Sequence, residues 1–168
     1  MGVAGNAESR AAFTRAHEAE PTVELRSRRF GDFTVAAAHV FELDPGLVGF
    51  PDLRRFVVLD SKPGSPFKWM LCLDEPDLGF AVADPADFLA GYAAPVDHAA
   101  TLLACTPADV ALFVLVTIPE QPTEIFLNLL APIVVDLQTR RGRQMVLEDT
   151  KLDPAHRVPL RPVPAARP

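Results

Sequence analysis

The amino-acid sequence predicts a mainly β fold, an antiparallel barrel or sandwich of about eight strands with one or two short helices. Short apolar segments follow one another closely, and each is ended by a proline, a glycine or an acidic turn. This spacing leaves no room for the long crossover helices that connect parallel strands. The chain also contains 17 prolines among 168 residues, which disfavour long helices because proline lacks a backbone N–H donor.

The first strands are expected between residues 33 and 83. Phe33–Leu43 alternates apolar side chains with a period of two residues, the pattern of a half-buried strand. Similar short segments follow at 55–60 (RFVVLD), 67–73 (FKWMLCL) and 79–83 (GFAVA). Turns rich in proline, glycine, serine and acidic residues separate them, so the order indicates a meander in which neighbouring strands pair.

Two short helices are expected after these strands. Pro85–Tyr92 suits one or two helical turns, since proline at a first helical position follows Asp84. Asp97–Cys105 is the better helix, because Asp97 can cap its start and Thr106-Pro107 ends it.

The remaining strands follow the helices. The segment 111–118 (ALFVLVTI) is apolar on both faces and rich in β-branched residues, as a central strand is. Three more strands are expected at 124–130, 133–137 and 144–147, with a turn at 140–143.

The chain ends differ from the centre in composition. Residues 1–28 are rich in Ala, Glu and Arg and are predicted to be a flexible N-terminal extension. Residues 29–153 form the predicted domain, and 154–168, with five prolines, a Pro-rich extended C-terminal tail. The N-terminus has no apolar h-region, so we expect a cytoplasmic protein.

The charge is acidic and unevenly distributed. The formal net charge is −6, but residues 31–136 contain 15 acidic and only 4 basic residues. Without a Lys/Arg-rich run the chain lacks the surface that neutralises phosphates. Direct binding of nucleic acid or of an anionic membrane is therefore not expected.

Motifs for catalysis or metal binding are not visible. Cys72 and Cys105 do not form a CxxC pair, and no histidine has metal-ligand spacing. Neither a nucleophile elbow nor a glycine-rich phosphate loop is present. The sequence predicts neither an enzyme nor a cofactor. Two alternatives stay open: a hydrolase using a carboxylate pair, and a barrel binding a small apolar ligand in a pocket of roughly 300–1,000 Å³.

Two residues in the run IFLNLLAPIVV are unusual for a strand. Asn128 must be hydrogen-bonded, because an unpaired amide there costs about 1–3 kcal/mol. Two roles for Asn128 stay open: it bridges to a neighbouring loop or bulge, or it helps to present a partner-binding surface. Pro132 indicates a sheet edge or bulge, and an edge is where a partner can add.

Six segments in register resemble one protein family. They are RFGDFTV, DPGLVGFPDLRRFVVLD, PFKWMLCLDEPDLGFAVADP, DVALFVLVTIP, NLLAPIVVD and GRQMVLED, which together span residues 30–149. In order and spacing they are similar to the blocks of FliW, a family of bacterial flagellar assembly factors. The Gly-Leu-x-Gly-Phe block at 46–50 and the Asn-Leu-x-Ala-Pro-Ile block at 128–133 are the most specific.

The resemblance implies a fold and a function. The fold is a small antiparallel β pseudo-barrel with a few short helices, monomeric when free. The function is binding of flagellin and of the RNA-binding translational regulator CsrA, which represses flagellin synthesis. When flagellin is exported, the freed assembly factor captures CsrA and relieves the repression. An acidic body suits a basic RNA-binding partner.

The resemblance also implies residues for partner binding. They are Phe67, Asn128, Leu129, Pro132 and Gln144, with Asp74, Glu75 and Asp77 as an acidic rim. Gly46, Gly49 and Pro51 are expected instead to shape a tight turn. The chain departs from the family pattern at Met70, Leu71 and Cys72, where a Leu-Gln-Ser run is usual, and at Phe126, where a threonine is common.

Overall fold

A closed barrel of seven strands forms the centre of the molecule, in the order β3-β4-β5-β6-β7-β9-β10 and back to β3. The computed structural model describes residues 20–92, 94–148 and 151–160. Neighbouring strands are antiparallel except β3 and β10, which are parallel. The seven are β3 (Phe41–Leu43), β4 (Arg55–Asp60), β5 (Phe67–Cys72), β6 (Gly79–Ala83), β7 (Val110–Thr117), β9 (Ile133–Asp136) and β10 (Arg141–Gln144).

The other elements surround this barrel. Strands β1 (Thr22–Ser27) and β2 (Gly31–Ala36) form a separate hairpin, and β8 (Glu124–Leu127) and β11 (His156–Pro159) extend the sheet outward from β7. The helix α1 (Val96–Leu103) precedes β7. Short 3₁₀ turns lie at Ala37–His39, Pro85–Asp87 and Pro107–Asp109.

The barrel interior is filled by apolar side chains. Successive residues of a strand point to opposite faces, so alternate positions of each strand face inward. Phe41 and Phe56 stack there with ring centroids 6.1 Å apart. The other buried interior side chains are Leu43, Leu47, Met70, Cys72, Val82, Ile133 and Val135. A ligand enclosed within the barrel would have to displace this core.

Three outer layers cover the other face of the strands. The β1–β2 hairpin packs Leu25 and Val35 on Val57 and Leu71. The β8–β11 pair packs on β7 and β6, and α1 places Ala99 against Val134 and Met145. Parts of β4, β5, β7 and β9 are thus covered on both faces, which explains the continuous apolar runs in these strands.

The fold class is confirmed, but the chain has eleven strands among its described residues rather than about eight. Phe33–Leu43 is not one strand: the 3₁₀ turn Ala37–His39 divides it into β2 and β3, which belong to different sheets. Residues 22–27, expected in the N-terminal extension, form β1, and residues 156–159, expected in the tail, form β11. Residues 1–19 and 161–168 lie outside the described part.

Two local predictions are also wrong. Residues 141–143, expected in a turn, belong to β10, and the turn lies at 137–139. The helix α1 has Pro95 at its N-cap, so Asp97 lies in the first turn and does not cap it. Asp84 caps the preceding 3₁₀ turn instead, by accepting a hydrogen bond from the N–H of Ala86 at 2.9 Å.

Candidate functional site

A tight loop closes one end of the barrel between β3 and β4. A Cβ at Gly46 would collide with the backbone carbonyls of Leu53 and Phe50, and Gly49 has a φ of +88°, so both positions require glycine. Leu47 is buried, and the Phe50 ring meets Phe80 edge to face at 5.6 Å. The structural role predicted for these two glycines is confirmed.

Two amide side chains hold this end of the barrel together. Gln144 accepts a hydrogen bond from the Val48 N–H at 2.9 Å and donates one to the Ala131 carbonyl at 3.0 Å. Asn128 accepts one from the Ala131 N–H at 3.1 Å. The loop at 46–50, the segment at 128–131 and strand β10 are therefore fixed relative to one another.

Exposed apolar side chains lie on this fixed frame. Val48 is 67% exposed and Phe50 41%. Val146 is 61% exposed and lies two residues after Gln144 in an extended segment. Its side chain therefore points to the same side of the segment as that of Gln144. We call Val48, Phe50 and Val146 the apolar surface. Single exposed apolar side chains are common on proteins, but several on one fixed frame make this surface a candidate for contact with another molecule.

An open groove of about 620 Å³ lies beside the apolar surface. One side is α1, through His98 and Leu102, and the other is the segment 143–148, which includes Val146. The N–H groups of Met145 and Leu147 donate to the carbonyls of Pro132 and Leu130. Those of Val146 and Glu148 donate to no described residue, so this edge of the segment is open.

The predicted partner-binding residues occupy different environments. Asn128 and Gln144 are half-buried and bonded to backbone groups, as described above. Leu129, 4% exposed, and the buried Pro132 are part of the packing in the free protein. Phe67 is half-buried against Phe88, with ring centroids 5.4 Å apart. The exposed residues that these side chains support, Val48 and Val146, were missed by the sequence reasoning.

The departures from the family pattern lie mainly in the core. Met70 and Cys72 point into the barrel, and Leu71 is buried beneath the β1–β2 hairpin. Phe126 is half-buried in β8, paired with Arg157 of β11. Met70, Leu71 and Cys72 therefore change the packing without changing the exposed surface.

Two of the three predicted rim carboxylates are engaged within the chain. Burial opposes ionisation of Asp74, but hydrogen bonds from the Arg55 and Arg54 N–H groups and from the Arg55 guanidinium outweigh it and lower the pKa. Asp77 accepts hydrogen bonds from the Arg28 side chain and N–H, which lower its pKa. Glu75 is exposed and forms no ion pair with a described residue.

Other carboxylates are more accessible. Residues 69–139 contain ten acidic residues and no lysine or arginine. Besides Glu75, four of these ten are exposed and form no ion pair with a described residue. We call these four the acidic set: Asp84, Asp87, Asp97 and Glu120. This part of the chain carries negative charge that internal cations do not neutralise.

Several other features of the described residues bear on function. No three or more His, Cys, Asp and Glu side chains are grouped so that they could hold a metal ion in this part of the chain. Every buried side-chain nitrogen or oxygen there has a hydrogen-bond partner. None of the helices described is long and apolar enough to cross a membrane.

Comparison with known proteins gives a consistent result. The family model "FliW protein" matches residues 24–158. A "Flagellar assembly factor FliW" of Magnetococcus marinus is 35% identical over 130 residues, covering 76% of this chain and 80% of the relative. One of Bdellovibrio bacteriovorus is 37% identical over 130 residues, covering 76% and 74%. A solved structure, "Crystal structure of the flagellar assembly factor FliW", superimposes with a TM-score of 0.73 at 27% identity, covering 84% of this chain and all of the other.

Proposed function

This chain belongs to the FliW family of flagellar assembly factors, and we propose that it binds flagellin and a translational regulator of the CsrA type in turn. While flagellin is abundant it occupies the factor. When flagellin is exported, the freed factor captures the regulator and relieves repression of flagellin synthesis. The factor acts in the cytoplasm, as a monomer when free, and without a cofactor.

The observation that carries this proposal is the apolar surface on its fixed frame. Val48 and Val146 are exposed and lie on segments that Gln144 and Asn128 hold in place. A rigid surface binds with a smaller loss of conformational entropy than a flexible one. Asn128 and Gln144 thus act in binding by positioning the contact residues, and Leu129 and Pro132 support them from beneath.

The acidic set favours the regulator as one of the two partners. An RNA-binding protein has a basic surface, which the exposed carboxylates attract over a distance of about 10 Å at moderate salt. The same carboxylates repel RNA phosphates. Charge therefore speeds the encounter, and the apolar surface supplies the affinity.

The test uses the purified chain with flagellin and the CsrA-type regulator from the same bacterium. Isothermal titration calorimetry is expected to show binding of each partner alone. With the chain saturated by flagellin, titration with the regulator is expected to give no heat of binding. Binding of neither partner, or of both at once, contradicts the proposal.

A further inference from the structure

The end of the barrel opposite the 46–50 loop contains a cavity of about 250 Å³. Its walls are apolar and include Phe41, Val58, Phe113 and Val135. His39 and Arg140 also line it, and the exposure of His39 marks its open side. The interior core described above closes the cavity from below, so it is a shallow site at the barrel end.

Arg140 makes no side-chain hydrogen bond or ion pair with a described residue. Five other arginines in the described part pair with a carboxylate. Arg140 has no such pair there, although acidic residues outnumber basic ones in this chain. Asp136 does not serve as its partner, because its carboxylate accepts from the Gln138 N–H at 2.9 Å and the Thr139 hydroxyl at 2.7 Å. The half-buried residue Arg140 lines an apolar cavity, and its guanidinium is thus available to an anion.

The backbone holds Arg140 at this position. Its N–H donates to the Asp136 carbonyl at 2.9 Å, and its own carbonyl accepts from the Glu42 N–H at 2.8 Å. Its φ of 59° lies in the left-handed region, which is unfavourable for a residue with a Cβ. The buried Asp136 stabilises the turn that imposes this conformation.

We propose that this cavity binds a small apolar carboxylate, whose chain packs on Phe41, Val58 and Phe113 while its carboxylate pairs with Arg140. The volume is below the range of drug-sized ligands, so the site suits a short aliphatic or aromatic acid, or the last residue of a peptide with its terminal carboxylate. The guanidinium forms two parallel hydrogen bonds to a carboxylate in either case. His39 contributes a further N–H donor.

The test is an NMR titration of the ¹⁵N-labelled chain with hexanoate and with hexanol, which lacks the carboxylate. Hexanoate is expected to bind at least tenfold more tightly than hexanol and to shift amides of β3, β7 and β9. In Arg140→Gln this preference is lost while hexanol binding is unchanged. Arg141→Gln, with the same change in charge at an exposed neighbour that does not line the cavity, keeps the preference.

The two sources of the carboxylate are separated with a pentapeptide that ends in leucine, as the free acid and as the amide. Tighter binding of the peptide acid than of hexanoate identifies a chain terminus as the ligand, and the reverse identifies a free acid. Ala111→Leu, which fills the cavity, is expected to abolish both at an unchanged melting temperature. Equal binding of hexanoate and hexanol, or a preference that survives Arg140→Gln, overturns the proposal.

Discussion

Gln144 accepts a hydrogen bond from the backbone N–H of Val48 across 96 residues of sequence. With its second contact, to the Ala131 carbonyl, it joins the loop at 46–50 to the segment at 128–133. These are the two segments that carry the family resemblance of the sequence most specifically. Their shared feature is therefore a three-dimensional frame, on which Val48 and Val146 are presented.

Replacement of Gln144 by alanine is expected to destabilise the protein. The change removes two hydrogen bonds, each contributing about 0.5–1.5 kcal/mol, so the free energy of unfolding should fall by about 1–3 kcal/mol. Urea unfolding followed by circular dichroism measures it. The control is Gln121→Ala, an exposed glutamine whose side chain has no partner among the described residues and whose loss should change stability by under about 0.5 kcal/mol. Equal stability of the two variants contradicts this role of Gln144.

Asn128 is expected to act through the Ala131 N–H. Asn128→Ala leaves this N–H without its acceptor, so the melting temperature should fall, with a loss of about 1–3 kcal/mol. Asn128→Asp keeps a side-chain oxygen and should recover most of the loss. Differential scanning calorimetry compares the two variants. An unchanged melting temperature in Asn128→Ala, together with lost partner binding, would instead make Asn128 a contact residue.

Acid is expected to destabilise the fold through Asp74 and Asp77, whose folded pKa values are lowered. The unfolded chain then binds more protons in the acid range, so their contribution is full above about pH 4 and is lost as the pH falls through the folded pKa values. Urea unfolding between pH 2.5 and 7 measures this dependence.

The matched variants are Asp74→Asn and Asp52→Asn. The first should flatten the loss of stability in acid, because it removes a carboxylate that accepts three hydrogen bonds from Arg54 and Arg55. The second removes an exposed carboxylate that has no partner among the described residues and should leave the pH profile as in the wild type. Identical profiles for all three proteins would rule out this source of acid sensitivity.

The barrel was predictable because buried strands need apolar residues, and these residues form visible runs in the sequence. The segment 111–118 is apolar on both faces, and it became β7, between an interior core and an outer layer. The division between β2 and β3 was not predictable from alternation, since Ala37, His39 and Phe41 continue the period-2 pattern of β2 across the 3₁₀ turn. Strand β11 was missed because an outer strand bonded only to β8 needs few apolar residues.

The residues of the proposed partner-binding surface were only partly predictable. The family pattern identifies Asn128 and Gln144, whose side chains must form specific hydrogen bonds. It does not identify Val48, which occupies the variable position x of the Gly-Leu-x-Gly-Phe block. The signal for Val48 is its exposure, which only the fold reveals. The ion pairs within the predicted acidic rim were not predictable either, because no sequence spacing shows that Arg28 pairs with Asp77 across 49 residues.

The acidic set is expected to speed association with the basic regulator. Its association rate, followed by stopped-flow fluorescence, should fall as salt rises from about 50 to 500 mM. Asp87→Asn with Asp97→Asn should lower the rate at low salt and reduce this dependence. The control pair Asp32→Asn with Glu42→Gln also removes two negative charges, but outside the 69–139 stretch. It should change the association rate at low salt and its salt dependence less. A rate independent of salt excludes electrostatic attraction.

The affinity of the double variant Val48→Asp/Val146→Asp for flagellin and for the CsrA-type regulator tests the central claim most directly. Both side chains are exposed and the Val48 contact to Gln144 uses the backbone, so the variant should fold normally. Calorimetry should show at least tenfold weaker binding of one or both partners, about 1.4 kcal/mol. Ile118→Asp, at a 43% exposed apolar residue elsewhere, should bind as the wild type does. Wild-type affinity of the double variant for both partners would contradict the account.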